Sequence, residues 1–125
     1  MARAARRLNV KLKRVYESPS RADGVRVLVD RLWPRGLTKE AAAADRWLRD
    51  LAPSSELRRW FGHDPERWAE FRRRYARELG ARSEQLDELR SLARKRRITL
   101  LFAARDETHN DAVVLRELLL AKSGK

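Results

Sequence analysis

Polar residues that could take part in binding or catalysis follow an apolar run near the C-terminal end of the chain. The run 98–104 stops abruptly, and a helical pattern begins directly after the polar cluster Arg105, Asp106, Glu107, Thr108, His109, Asn110 and Asp111. This order predicts a strand end, a loop and a helix N-terminus, where α/β domains bind ligands and where anions are favoured. Thr108 and Asp111 fit a capping box. Arg105, His109 and Asn110 therefore remain as candidate ligand contacts.

A second cluster, residues 30–36, follows another apolar run. Arg31 and Arg35 carry guanidinium groups, which suit bidentate binding of a carboxylate or phosphate. Trp33 offers a flat face to a base or a cation. The alternative is structural: Arg31 pairs with a carboxylate of the fold, and Trp33 fills the core.

A third cluster, residues 60–65, contains His63. Its imidazole could act as an acid, a base or an anion contact near neutral pH. The alternative is a helix-junction residue that bonds a backbone carbonyl. If the protein is an enzyme, His109 or His63 would be the acid–base catalyst, and the arginines would stabilise developing negative charge.

Metal and cofactor motifs are weak. The chain has no cysteine, which excludes disulfides, thiolate metal sites and cysteine nucleophiles within it, and its five glycines are too dispersed for a phosphate-binding loop. Its two histidines lack metal-binding spacing. The carboxylates Asp106, Glu107 and Asp111 give only a weak magnesium signal. We therefore predict no metal site, and no particular cofactor is indicated.

Hydrophobic periodicity predicts a single small α/β domain over residues 1–125, with tails at 1–9 and 122–125. Strands are expected at 10–16, 25–33 and 98–104, with a short extended segment at 46–51. Thr38, Ser54 or Ser55, and Asp64 are expected N-caps. These elements favour a parallel or mixed sheet of about four short strands flanked by helices.

The formal net charge of +12 predicts attraction to nucleic acid, acidic membranes or anionic ligands. Arginine makes up 24 of the 30 basic residues, a bias that a G+C-rich genome would also produce. The arginines of residues 67–77 spread around their helix, and Glu70 and Glu78 can pair with them, so we interpret this run first as a solvated face. No apolar run is long enough for a transmembrane helix, and the N-terminus lacks the apolar stretch of a secretion signal, so a cytoplasmic protein is expected.

Four stretches together resemble a bacterial family, domain of unknown function 488, in its short YeaO-like branch. They are RVLVDRLWPRG at 26–36, DLAPS at 50–54, LRRWFGHD at 57–64 and LLFAARDETHN at 100–110. The resemblance implies a small α/β domain with helices flanking a parallel or mixed sheet, and it implies no established activity. Longer relatives carry cysteines in and after the strand that resembles 100–104. Alanine and asparagine occupy that neighbourhood here, so thiol chemistry is not carried over.

Three functions remain open at this stage. The first is a binding or enzymatic domain for a phosphorylated ligand, such as a nucleotide or a nucleic-acid end, contacted by Arg31, Trp33, Arg35, Arg105, His109 and Asn110. The second is a non-catalytic nucleic-acid or polyanion binder. The third is a protein-interaction module that uses exposed tryptophans such as Trp47 or Trp60. The expected partners are thus a small anionic ligand or nucleic acid, and not a membrane. The first function requires the strand ends near residues 33–36 and 108–110 to share one pocket.

Overall fold

A four-stranded parallel sheet lies at the centre of the computed structural model, which describes residues 8–121. Its strands are β1 (Val10–Arg14), β2 (Val25–Leu28), β3 (Arg46–Trp47) and β4 (Ile98–Phe102), in the spatial order β1-β4-β2-β3. Every residue of β4 is buried because β4 has a strand on each side. This architecture confirms the predicted α/β class and defines the sheet as parallel.

Five α-helices within residues 8–121 surround the sheet. They are α1 (Lys39–Ala42), α2 (Ser55–Phe61), α3 (Trp68–Gly80), α4 (Ser83–Lys95) and α5 (Asp111–Ala121). The predicted N-caps Thr38 and Ser54 are confirmed, since each side chain accepts a backbone N–H of the following turn. Asp64 caps a short 3-10 turn that leads into α3, with Pro65 at its first position as expected.

The main core lies between one face of the sheet and helices α2–α5. Its sheet side contains Val27, Ile98, Leu100 and Phe102, and α3 adds the stripe that includes Phe71, Tyr75 and Leu79. The opposite face carries a smaller cluster of Val15, Leu28, Ala42 and Leu101, covered by α1 and by Trp33 and Trp47. Helical cover is therefore unequal on the two faces.

The structure changes several boundaries. The second strand ends at Leu28 rather than continuing to residue 33, because the Asp30 carboxylate accepts the Ala103 N–H and the regular ladder stops there. Leu8 and Asn9, assigned to the N-terminal tail, contact the fold: Leu8 is buried, and the Asn9 carbonyl accepts the Ile98 N–H. Residues 1–7 and 122–125 of the expected tails lie outside the described residues.

A buried ionic network precedes β2. Asp23, in a 3-10 turn, accepts hydrogen bonds from Arg26 Nη1 at 2.6 Å and from Lys13 Nζ at 3.1 Å. The other nitrogens of Arg26 donate to the carbonyls of Ala42 and Ala43. Burial alone would raise the pKa of Asp23, but these hydrogen bonds, with one from the Ser20 N–H, hold it below its ordinary value. The network ties the start of β2 to β1 and α1.

No helix among the described residues is long and apolar enough to cross a membrane.

Candidate functional site

The carboxyl ends of β2 and β4 border a cleft of about 330 Å³. Because these strands are parallel neighbours, the chain leaving each of them emerges at the same edge of the sheet. The lining combines carboxyl, cationic and apolar side chains: Tyr16, Asp30, Arg31, Leu32, Trp33, Pro34, Arg35, Pro53, Arg58, Phe61, His63, Phe71, Ala103, Ala104, Asn110 and Asp111. The cleft is large enough for a small organic ligand.

Asp30 connects the two strand ends at this cleft. One carboxylate oxygen, Oδ2, accepts the Ala103 N–H at 2.9 Å, and its backbone carbonyl accepts the Trp47 indole N–H at 2.7 Å. Burial raises the pKa of Asp30 above its ordinary value, and hydrogen bonds from Asp111 and Ala103 oppose that effect. The charges of His63 and Arg58 oppose it as well. Asp30 is therefore one member of a carboxyl pair.

Asp111 is the other member of the pair and the first residue of α5. Its Oδ1 accepts the Ala112 N–H at 2.9 Å. Burial, reinforced by the Asp30 charge and by the hydrogen bond between the two carboxyl groups, raises the pKa of Asp111 well above its ordinary value. Two adjacent carboxyl groups favour sharing one proton, because ionising both would bring like charges together.

Cationic side chains surround this pair. Arg31 donates through Nε to the Pro53 carbonyl at 3.0 Å, and its Nη groups have no protein acceptor among the described residues. Arg35 and Arg58 are exposed, and neither side chain has a hydrogen-bond acceptor in the described part of the chain. His63 is also exposed and has a left-handed backbone, with φ of 58°. The cleft thus offers uncommitted positive charge beside a carboxyl pair.

Trp33 forms one wall of the cleft and also has a structural role. Its indole N–H donates to the Leu37 carbonyl at 2.7 Å, and its ring meets that of Trp47 edge-on at 5.3 Å. The ring is half-buried, so it contributes both to packing and to the cleft. The Tyr16 hydroxyl donates to the Arg35 carbonyl at 2.9 Å, and both residues line the cleft.

Asn110 lines the cleft, but its side-chain bonds are internal. Its Nδ2 donates to the Asp106 carbonyl at 2.9 Å, and its Oδ1 accepts the Val113 N–H at 3.1 Å. Asn110 is therefore the N-cap of α5. The predicted capping box of Thr108 and Asp111 is wrong, because the Thr108 hydroxyl bonds the Asp106 carboxylate instead.

Arg105 and His109 do not line the cleft. Arg105 is exposed. His109 Nδ1 lies 2.9 Å from Asp106 Oδ2, and the His109 ring meets Trp68 edge-on at 5.1 Å. The Thr108 N–H, followed by the His109 ring, lowers the pKa of Asp106 to about 2. The strand ends meet as expected, but of the seven predicted site residues only Arg31, Trp33, Arg35, His63 and Asn110 lie along one cleft.

Sequence reasoning missed Asp30, Asp111 and Arg58 as members of the site. Asp30 is the first polar residue after β2, and Asp111 opens the helix after β4, so both positions carried the strand-end signal. Assigning Asp111 to a helix cap hid that signal. Arg58 gave none, because its place depends on how α2 docks.

The described residues contain no group of three or more His, Cys, Asp or Glu side chains that could hold a metal ion. The weak magnesium signal from Asp106, Glu107 and Asp111 is not supported by their placement: Asp106 binds Thr108 and His109, whereas Asp111 faces Asp30.

Comparison with known proteins defines the family. A family model described as "Inactive DUF488-N3 subclade" matches residues 9–125. The chain belongs to the DUF488 family. This DUF488 protein is 41% identical to "Uncharacterized protein YeaO" of Escherichia coli (strain K12) over 112 residues, which cover 90% of this chain and 97% of the relative.

Mycobacterial relatives match the chain over a similar length. The DUF488 protein is 45% identical over 114 residues to "Uncharacterized protein Mb3100c" of Mycobacterium bovis and to "Uncharacterized protein Rv3073c" of Mycobacterium tuberculosis. Each match covers 91% of this chain and 96% of the relative. No solved structure matches the chain.

Proposed function

We propose that this protein binds a small phosphorylated ligand, a nucleotide or a nucleic-acid end, in the cleft at the carboxyl ends of β2 and β4. The observation that carries the proposal is the set of uncommitted cations at that cleft: the Nη groups of Arg31 and the side chains of Arg35 and Arg58. Guanidinium groups bind phosphate through paired, charge-assisted hydrogen bonds.

A carboxyl pair that shares one proton is compatible with an anionic ligand. Two ionised carboxylates would repel a phosphate, whereas a pair with one proton has a single negative charge. His63, which lines the same cleft, adds positive charge when it is protonated.

We propose binding without a catalytic step. The description of the matching subclade as inactive supports this choice. So does the placement of His109, which lies outside the cleft, where an acid–base role on the bound ligand is out of reach. The carboxyl pair then serves recognition rather than bond cleavage.

The test is a calorimetric titration with ribose 5-phosphate at moderate salt. Arg58→Ala should weaken binding about tenfold, since a charge-assisted hydrogen bond contributes roughly 1.5 kcal/mol or more. Arg59→Ala is the matched control, because Arg59 is the exposed neighbour of Arg58 on α2 but does not line the cleft.

Equal weakening by both variants would mean that general positive charge, and not the cleft, attracts the ligand. Phosphorus NMR of a nucleoside monophosphate incubated with the protein should show the nucleotide unchanged after a day. Turnover would contradict the non-catalytic part of the proposal.

A second candidate function, polyanion binding, is favoured by the opposite end of the sheet. We call the exposed cations at this end the basic end: Arg21, Arg94, Lys95, Arg96 and Arg97. None of them has an acidic partner among the described residues, and Arg97 Nη1 donates to the Ala22 carbonyl at 2.9 Å, which joins the two segments. By contrast, the α3 arginines Arg72, Arg73 and Arg74 pair with Glu117 and Glu70.

Salt dependence distinguishes this second function. For an oligonucleotide, the double variant Arg94→Ala/Arg96→Ala should reduce the slope of log affinity against log salt by about 1 to 2, whereas Arg72→Ala/Arg74→Ala should change it little. A flat salt dependence of the wild-type protein would remove the polyanion hypothesis.

The protein-interaction hypothesis loses its structural premise. Trp33, Trp47, Trp60 and Trp68 are all partly buried, and Tyr16 and Leu32 are the exposed large hydrophobic residues of the described part. Two guanidinium groups contact the Trp60 ring, that of Arg74 at 4.4 Å and that of Arg67 at 5.3 Å from its centroid. Trp47 is covered by Arg49 at 4.2 Å.

A further inference from the structure

The Asp30–Asp111 pair gives one part of the cleft a chemistry different from that of the arginines at its exposed rim. Each carboxyl of the Asp30–Asp111 pair uses one oxygen on the backbone: Asp30 Oδ2 accepts the Ala103 N–H, and Asp111 Oδ1 accepts the Ala112 N–H. The second oxygen of each group remains for the partner carboxyl and for the cleft. When the pair holds one proton, a ligand that replaces the hydrogen bond between the two carboxyl groups meets one oxygen that can donate that proton and one that can accept a hydrogen bond.

The cleft also has a mainly apolar lining. Trp33, Pro34, Pro53, Phe61 and Phe71 form it. A flat heterocycle gains from contact with such surfaces, whereas a bare phosphate or a sugar gains little. The Phe61 and Phe71 rings stack at 4.3 Å between centroids, so this wall is rigid before a ligand arrives.

We propose that the Asp30–Asp111 pair recognises the hydrogen-bonding edge of a nucleobase whose phosphate is held by the arginines at the rim. This inference rests on the proposed function, and it adds the base as the part of the ligand that the protein selects. The edges of nucleobases place a donor beside an acceptor, so such an edge can replace the bond between the two carboxyl groups, pairing with the oxygens that carry no backbone bond and with the one proton that they share.

The other charged groups around the pair support this division of roles. The β2–α1 loop contributes Arg31 and Arg35, α2 contributes Arg58, and the segment after α2 contributes His63. All four are cationic or can become so, and they lie at the cleft together with the pair. From α3, the buried Tyr75 keeps its proton, because burial and the two aspartates raise its pKa well above the ordinary value.

The experiment compares the four nucleoside 5′-monophosphates with ribose 5-phosphate by calorimetry on the wild-type protein. At least one nucleotide should bind about tenfold more tightly than ribose 5-phosphate, in line with one good base contact. If none exceeds ribose 5-phosphate by twofold, this inference is wrong and the proposed function stands. If ribose 5-phosphate and the nucleotides all fail to bind, both are wrong.

Two substitutions of one residue sharpen the test. Asp111→Ala should abolish the advantage of the preferred nucleotide while leaving the affinity for ribose 5-phosphate within about twofold. Asp111→Asn should retain most of the advantage, because an amide presents the same donor and acceptor as a protonated carboxyl. Asp50→Asn, an exposed aspartate away from the cleft, is the control. An unchanged advantage in Asp111→Ala would overturn the inference.

A wild-type measurement covers the case in which Asp111→Ala fails to fold. The ¹³C resonance of the Asp111 carboxyl should shift on addition of the preferred nucleotide and stay in place on addition of ribose 5-phosphate. Identical responses to the two ligands would contradict base recognition by this pair.

Discussion

The two ends of β2 carry aspartates with opposite environments. At the N-terminal end, Asp23 is bound by Lys13 and Arg26, and its pKa is lowered. At the carboxyl end, Asp30 faces a second carboxyl, Asp111, and the pKa of each is raised. Cations lie at the cleft beside Asp30, but none forms an ion pair with it.

This difference separates the end of the sheet whose buried charges are paired from the end where we propose that a ligand binds. Arg26 directs all its nitrogens at protein acceptors, whereas Arg35 and Arg58 direct none at the described residues. Carboxyl groups with perturbed pKa values cluster at functional sites. We therefore expect Asp23→Asn to destabilise the fold and Asp111→Asn to stabilise it.

The largest expected effect is that of Asp23→Asn. Removing this charge leaves Arg26 buried without compensation, which should lower the free energy of unfolding by about 3 to 5 kcal/mol at pH 7. Because the folded-state pKa of Asp23 is lowered, its stabilisation is present above the unfolded-state pKa near 4 and is lost as pH falls through the folded-state value. Urea unfolding at several pH values from 7 downward should therefore show the difference shrinking in acid.

Glu70→Gln is the control for that substitution, because Glu70 forms its ion pairs with Arg73 and Arg74 on the exposed surface. It should leave the unfolding midpoint close to that of the wild type. A loss as large as that of Asp23→Asn would mean that burial does not distinguish the two sites.

Asp111→Asn should change the free energy of unfolding in the opposite direction. A raised carboxyl pKa means that the folded protein binds the proton more tightly than the unfolded chain does. The destabilisation that the Asp111 carboxyl causes is therefore absent below the unfolded-state pKa near 4, and it grows as pH rises toward the folded-state value. The variant should therefore be more stable than the wild type by about 1 kcal/mol at pH 7 and equal to it near pH 3. Destabilisation at pH 7 would show that Asp111 is a structural residue like Asp23.

A smaller effect is expected for His63→Gly. His63 has φ of 58°, a conformation that costs a non-glycine residue about 1 kcal/mol, so glycine should stabilise the fold by up to that amount. Affinity for ribose 5-phosphate should fall about threefold because the imidazole, an anion contact when it is protonated, is lost from the cleft. Ala43→Gly is the matched control, since Ala43 has φ of 48° and lies away from the cleft: it should stabilise the fold and leave affinity unchanged.

Local patterns in the sequence predicted most of the fold. The β-branched run at 25–29, the caps at Thr38 and Ser54, and the apolar stripe of Phe71, Tyr75 and Leu79 all depend on neighbours within a few residues. These are the cases in which pattern alone decides structure.

The site was only partly predictable, because it depends on contacts between distant segments. Parallel strand ends predicted that residues near Arg31 and Asn110 would meet. One error was local, because Asn110 and not Thr108 caps α5. The other side-chain directions depend on distant segments: the His109 ring meets Trp68, and Asp30 is fixed by the Ala103 N–H. The carboxyl pair itself exists only once β2 lies beside β4.

The most direct test of the account is a ¹⁵N-resolved NMR titration of the wild-type protein with ribose 5-phosphate and then with the preferred nucleoside monophosphate. We expect shifts concentrated in residues 30–35, 58–63 and 103–112, with residues 21–26 and 94–98 unchanged at 0.15 M salt, on the order of the physiological value. Shifts spread over both ends of β2, or confined to residues 21–26 and 94–98, would contradict the assignment of the ligand site to the carboxyl end of the sheet.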